Sequence, residues 1–139
     1  LGYAAFFTFY RGVPPSGGRL EIAKGEVDDV LCGIEYLVKN EGKRLDFNKM
    51  IMIGGSMGGA ITLLALERMK EPYPRAAFVF GSPTNVRSNF EYAKTSDNDL
   101  LRKVFRYVKE ELGYDSMGKE EREEVIFFPL KEYSTFSVK

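Results

Sequence analysis

One stretch of this sequence places reactive residue types at a spacing that does chemistry: Gly54-Gly55-Ser56-Met57-Gly58-Gly59. It fits G-x-S-x-G, in which a serine on a tight strand-to-helix turn is presented as a nucleophile. With glycine and serine each near ~7% of residues, a chance match in a chain this long has odds of roughly one in twenty. The context narrows the reading. A continuous apolar run, Met50–Ile53, precedes the motif, and Ala60–Met69, carrying Ile61, Leu63, Leu64 and Leu66, reads as a buried helix after it. A turn this tight forces Ser56 into a strained backbone conformation. Side chains at Gly54 and Gly58 are expected to collide with each other or with the neighbouring strand, so glycine is needed there. The Ser56 hydroxyl then stands above the carboxyl end of a sheet. The Met57 N–H, at the positive end of the helix dipole, is placed to donate to the oxyanion of a tetrahedral intermediate. Two plainer readings stand beside this one: a strand–helix turn with glycines for packing, and a phosphate-binding loop. A Walker A loop needs Gly-Lys-Ser/Thr, and a dinucleotide turn needs glycine where Ser56 stands, and neither requirement is met.

The rest of the composition limits what can assist Ser56. Among the 139 residues there is no histidine. That excludes a self-contained Ser-His-Asp or Cys-His catalyst, and zinc-finger, zincin and haem-histidine readings as well. The single cysteine, Cys32, cannot form an internal disulfide or a cysteine-based metal site, so no metal and no cofactor is expected. It reads as a small core or interface filler on a helix. The 20 Lys+Arg balance 20 Asp+Glu, which gives no electrostatic reason to expect nucleic acid or an anionic membrane as partner. Asp97, Asp99 and Asp115 lie in polar or helical stretches and read as solvated surface carboxylates rather than triad acids. Tyr10 and Arg11 follow an apolar run at a strand's carboxyl end, where open α/β sheets place ligands, and are candidate substrate-side residues. Arg11 has the alternative of pairing structurally with an acid.

The elements that must position these residues follow from the apolar pattern. Tyr3–Tyr10 is aromatic and short, which predicts a buried strand. Arg11–Arg19, with Gly12, Pro14, Pro15, Gly17 and Gly18, is a loop. Over Glu26–Asn40, Val27, Val30, Leu31, Ile34, Leu37 and Val38 repeat at helical spacing, with acidic residues in the first turn. Strand Met50–Ile53, helix Ala60–Met69 and strand Ala76–Phe80 complete the order strand, helix, strand, helix, strand. Unbroken apolar strands alternating with helices predict an α/β three-layer sandwich, a mostly parallel sheet with helices on both faces. After Pro83 the texture changes. Asn89–Asp99 is polar, Leu100–Leu112 shows a second amphipathic helical pattern, and Lys119–Phe128 predicts a short charged helix. The apolar start, Leu1–Tyr10, is neither a signal peptide nor long enough to span a bilayer. Both ends read as cut, which predicts a fragment of a larger domain.

At this point the sequence resembles the α/β-hydrolase superfamily, most closely the catalytic domain of the prolyl oligopeptidase family and its dienelactone-hydrolase-like and acyl-esterase relatives. Tyr10-Arg11-Gly12 is similar to that family's "N-Y-R-G" or "D-x-R-G" stretch. Gly25-Glu26-Val27-Asp28-Asp29-Val30 resembles its "G-x-x-E-x-x-D-x" helix start, and Asp46–Lys49 its "D-x-x-R/K-I" approach to the elbow strand. Gly54–Gly59 matches the elbow, and Ala76-Ala77-Phe78 with Gly81-Ser82-Pro83 resembles the strand after the elbow helix. The resemblance covers Leu1 to about Asn85 and is weak beyond it, where Pro129–Lys139 could approach the family's next strand.

The resemblance implies that Ser56 is the nucleophile and Met57 the backbone oxyanion donor. It also implies that the triad acid and histidine lie past Lys139, and the second oxyanion contributor before Leu1. Met57 departs from the aromatic residue usual in the peptidases, which leaves an esterase open. The expected organisation is therefore 1–139 as the central part of one α/β-hydrolase domain. Within it, 1–85 is the core with its nucleophile elbow, and 86–139 is a helical excursion (a cap or ordinary packing helices) and the approach to the next strand. The expected activity is a serine hydrolase acting on a small-molecule ester or peptide, with the segment alone inactive. A non-catalytic binding protein of the same fold, and an acyltransferase or thioesterase, are the alternatives.

Overall fold

A computed structural model of the chain describes residues 2–82, 86–111 and 113–120. The chain divides into two compact units, Leu1–Ser82 and Pro83–Lys139.

The first unit contains helix α1 (Gly25–Glu41), a 3-10 turn (Phe47–Lys49), strand β1 (Ile51–Gly55), helix α2 (Met57–Arg68) and strand β2 (Ala76–Phe80). α1 starts with Glu26 and Asp28 in its first turn and ends with Lys39 in its last, each favourable to the helix dipole. The 3-10 turn is set by Asp46, whose carboxylate accepts from the Asn48 N–H at 3.1 Å. β1 and β2 pair in parallel, in register from Ile51 opposite Ala76 to Gly55 opposite Phe80. α2 packs on both strands and α1 packs on α2. The core lies along α2: Ala60, Ile61, Leu64 and Ala65 are buried, with Val27 from α1. Ile61 and Leu64 each contribute about 1.5–3 kcal/mol by leaving water.

One expectation is corrected here, and another is met only in part. Tyr3–Tyr10 forms no strand. The ring of Phe6 lies against α1, so close that a Cβ at Gly33 would sit 3.0 Å from it. Tyr3, Phe7 and Phe9 are exposed. An apolar run supplies side chains for a strand but not the neighbouring backbone that its N–H and C=O groups need. Among the described residues β1 and β2 pair only with each other. The expected layers are met in part. Side chains alternate across a strand. The face carrying Val79 meets α2, whereas Ile53 (70% exposed) and Phe80 (65%) stand bare on the other face with Ile51 and Phe78. Among the described residues the sheet thus carries helices on one face. Cys32 is exposed on α1 rather than filling a core.

The second unit contains helix α3 (Val86–Thr95), helix α4 (Asp99–Glu110) and a 3-10 turn (Tyr114–Ser116). α3 and α4 pack together, with Ala93 and Val108 buried. Asn98 caps α4: its side-chain oxygen accepts from the N–H groups of Leu100 at 2.9 Å and Leu101 at 3.2 Å. α4 covers most of the expected Leu100–Leu112 pattern, starting one residue earlier and ending at Glu110. α3 extends from Val86 into the Asn89–Asp99 stretch expected only to be polar, where apolar residues are too sparse to show a period. Residues 121–128 of the expected Lys119–Phe128 helix, and Pro129–Lys139, lie outside the described residues. Among the described residues no helix is long and apolar enough to cross a membrane.

Candidate active site

A single residue, Ser56, joins β1 to α2. Its φ of 53° and ψ of −128° are those of the first central residue of a type II′ turn, a place normally given to glycine. A side chain there costs about 1–3 kcal/mol of backbone strain. Two backbone bonds hold the conformation. The Ser56 N–H donates to the Phe80 carbonyl at 3.0 Å, tying the turn to the end of β2, and the Gly59 N–H donates to the Ser56 carbonyl at 3.0 Å. A serine preceding a helix ordinarily gives its hydroxyl to capping. Ser56 makes no such side-chain bond, and the residue is exposed. Met57 is half-buried and opens α2, so its N–H has no carbonyl one turn back and sits at the positive end of the helix dipole.

The surrounding glycines are required by close approach. A Cβ at Gly54 would strike the Gly58 carbonyl oxygen and Thr62 Oγ1. At Gly55 it would lie 2.7 Å from the Phe80 ring, and at Gly59 2.8 Å from Ser82 and from Val79. Gly58 differs from expectation: a Cβ there would meet only the Tyr10 hydroxyl oxygen, at an ordinary 3.5 Å. The expected collision between positions 54 and 58 is therefore made by the backbone of 58, not by its missing side chain. Thr62, which the sequence reading passed over, donates from Oγ1 to the Gly58 carbonyl at 2.8 Å and is buried. Its signal was a lone hydroxyl within the apolar run from Ala60 to Leu66.

Tyr10 and Arg11 fall on different sides of the functional question. Tyr10 is half-buried with its hydroxyl oxygen against Gly58, two residues from Ser56. Burial raises its phenol pKa, and the nearby carboxylates of Glu26 and Asp29 raise it further. The Arg11 side chain is committed to acids. Nη2 and Nε donate to Asp29 Oδ1 at 2.8 and 3.1 Å, and Nη1 donates to Glu21 at 3.2 Å. The Arg11 backbone N–H also donates to Asp29 Oδ2, at 2.8 Å. These bonds hold the Asp29 carboxyl below the usual carboxylate range and raise the guanidinium above its own. Gly25 leaves room for the pair, since a Cβ there would strike Arg11 Nη1 and Glu21 Oε2. Glu26 is fully buried and accepts from the N–H groups of Glu21 at 2.5 Å and Lys24 at 3.1 Å. Those bonds brace a loop in which Ile22 (φ 57°) and Ala23 (φ 64°) are both left-handed. Sequence reasoning offered Arg11 an acid without naming one; Glu21 and Asp29 were missed as its partners, and Glu26 as the brace of the loop.

In the second unit Asp99 pairs with Arg102, Asp115 lies 3.3 Å from Lys109, and Asp97 is exposed. All three carboxylates behave as surface groups.

No curated protein and no solved structure matches the chain. Residues 15–122 match the prolyl oligopeptidase family. The matched span contains α1, both strands, the Gly54–Gly59 turn and α2. It continues past Asn85 through α3 and α4, further than the sequence resemblance carried. With most of its length inside that match, the chain belongs to the prolyl oligopeptidase family, a family of serine hydrolases.

Proposed function

We propose that this protein is a serine hydrolase of ester or peptide carbonyls with Ser56 as its nucleophile. The observation that carries the reading is the backbone of Ser56. A side chain is kept where glycine would be less strained, and its hydroxyl is not used to cap the helix it precedes. On this reading Gly54, Gly55, Gly58 and Gly59 shape a nucleophile elbow. Ser56 Oγ attacks the carbonyl carbon while a general base takes its proton, and the Met57 N–H donates to the oxyanion that forms. The leaving group departs with a proton, and water hydrolyses the acyl-enzyme. Tyr10, beside the turn, lies on the substrate side.

On this reading the histidine base lies outside these 139 residues, which contain none, and the family resemblance implies that the acid lies outside them as well. The segment is then the central part of an α/β-hydrolase domain. The bare sheet face of Ile51, Ile53, Phe78 and Phe80 takes a further layer in the whole domain, completing a three-layer sandwich.

A fluorophosphonate probe applied to the protein expressed from its complete gene tests the proposal. Covalent labelling at Ser56, abolished in Ser56→Ala, is the expected result. No labelling would sink the enzyme reading and leave a binding protein, the alternative that the missing histidine favours. Labelling with turnover of acyl-thioesters alone would identify a thioesterase or acyltransferase instead.

A further inference from the structure

The Arg11–Asp29 pair fixes more than the position of a side chain. Asp29 receives both the backbone N–H of Arg11 (2.8 Å) and its guanidinium (2.8 and 3.1 Å). One carboxylate therefore fixes the main chain and the side chain of the same residue. A bidentate charge-assisted fork is a directional constraint, not only an attraction. Tyr10 immediately precedes that fixed point. Its carbonyl accepts from the Val13 N–H at 3.0 Å, which closes the chain into a turn just after it. From this anchored base the Tyr10 ring reaches the first turn of α2, where its hydroxyl oxygen stands 3.5 Å from the Cβ position of Gly58. The Gly58 carbonyl is in turn what presses on Gly54 and accepts from Thr62. A line of neighbours thus runs from Asp29 through Arg11 and Tyr10 to Gly58, whose carbonyl lies beside Gly54 and Thr62, close to Ser56 in the turn.

We infer that Asp29 and Arg11 are positioning residues for the turn that carries Ser56, acting through Tyr10 on Gly58. The inference rests on the proposed role of Ser56 for its meaning in catalysis, but the mechanical coupling stands independently of it. Asp29 touches no reacting atom. Its work is to hold residue 11 in one place, so that the aromatic ring before it supports the start of α2. The surface ion pairs described in the first unit differ in form. Arg44 and Glu41, for example, meet at 3.0 Å at the far end of α1, three residues apart, without any backbone donor.

The test combines amide hydrogen exchange with labelling kinetics, on the protein expressed from its complete gene. Asp29→Asn and Tyr10→Ala are expected to speed exchange across 56–68 by about tenfold, the scale of one lost charge-assisted bond. Exchange across 36–49 stays as it was, and Arg44→Ala changes neither segment. Unchanged exchange across 56–68 in either variant overturns the inference, and so does an equal acceleration over 36–49, which would mean general destabilisation. Arg11→Lys keeps the charge and loses the fork. It is expected to speed exchange over 56–68 by a smaller factor, and it decides the matter should Asp29→Asn fail to fold. With fluorophosphonate, Asp29→Asn is expected to lower the maximal labelling rate at Ser56 about tenfold with little change in the half-saturating probe concentration. A change in the half-saturating concentration alone overturns the positioning role. A wild-type protein that does not label at all sinks the Ser56 reading, while the exchange comparison still decides the coupling.

Discussion

Asp29 binds Arg11 twice over, once at the backbone N–H and once at the guanidinium, across eighteen residues of sequence. Two of the stretches that carry the resemblance, Tyr10-Arg11-Gly12 and Gly25–Val30, are therefore two sides of one structure. Gly25 clears the space, Glu26 braces the loop between them, and Asp29 closes the bond.

That bond makes stability depend on acid. The Asp29 carboxyl is held below its ordinary value of 3.8, mainly by the Arg11 side-chain hydrogen bonds. A group with a depressed folded pKa contributes stability that is fully present above its unfolded pKa. The contribution is lost as pH falls through the folded value. Urea midpoints of wild type and Asp29→Asn should differ near neutrality and converge between about pH 4 and pH 2, the range below the unfolded carboxylate value. A gap that stays constant down to pH 2 would contradict this.

The turn glycines should not be equivalent. Gly54→Ala drives a methyl into the Gly58 carbonyl and Thr62, an overpacking that costs about 1–3 kcal/mol. Gly58→Ala meets only ordinary contact and gains helix propensity of up to about 1 kcal/mol. Thermal unfolding of the two variants should move in opposite directions or, at the least, differ by several degrees. Equal losses would show that the turn is not built as described.

Ser56 itself should be a stability liability. Its left-handed φ favours glycine, so Ser56→Gly should be more stable than Ser56→Ala by about 1 kcal/mol, the low end of such strain. Both substitutions remove the hydroxyl and should be equally unreactive to fluorophosphonate. If alanine proves as stable as glycine, the strain is not real.

In the second unit, Asn98→Ala removes the side-chain acceptor for two N–H groups of α4. The expected cost is about 0.5–2 kcal/mol, seen as earlier loss of protection across 99–110 in hydrogen exchange. Asn98→Asp should retain most of the cap. Loss of protection in the aspartate variant as large as in the alanine variant would argue against capping.

What the sequence made legible followed from local physics. The Ser56 turn was readable because a glycine-rich stretch between two apolar segments has few solutions. β2 was readable to the residue because Ala76–Phe80 is bounded by proline and glycine punctuation. The legible parts needed only neighbours in sequence. Tyr3–Tyr10 was misread because a strand is a property of two chains of backbone, and the composition of one cannot supply the other. The sheet's bare face was hidden for the same reason: Ile53 and Phe80 look like core residues whether or not a layer covers them. Asp29 was invisible as Arg11's partner because α1 carries several acids near its start, and only the path of the loop selects one.

The uncovered sheet face has a practical consequence. If the proposed reading holds, with Ser56 as nucleophile and its base outside these residues, the chain would act as one half of a split enzyme. Ile51, Ile53, Phe78 and Phe80 offer the apolar surface along which a separately expressed remainder would dock. Mixing the two pieces should restore activity that neither has alone, a complementation assay in which turnover is gated by reassembly.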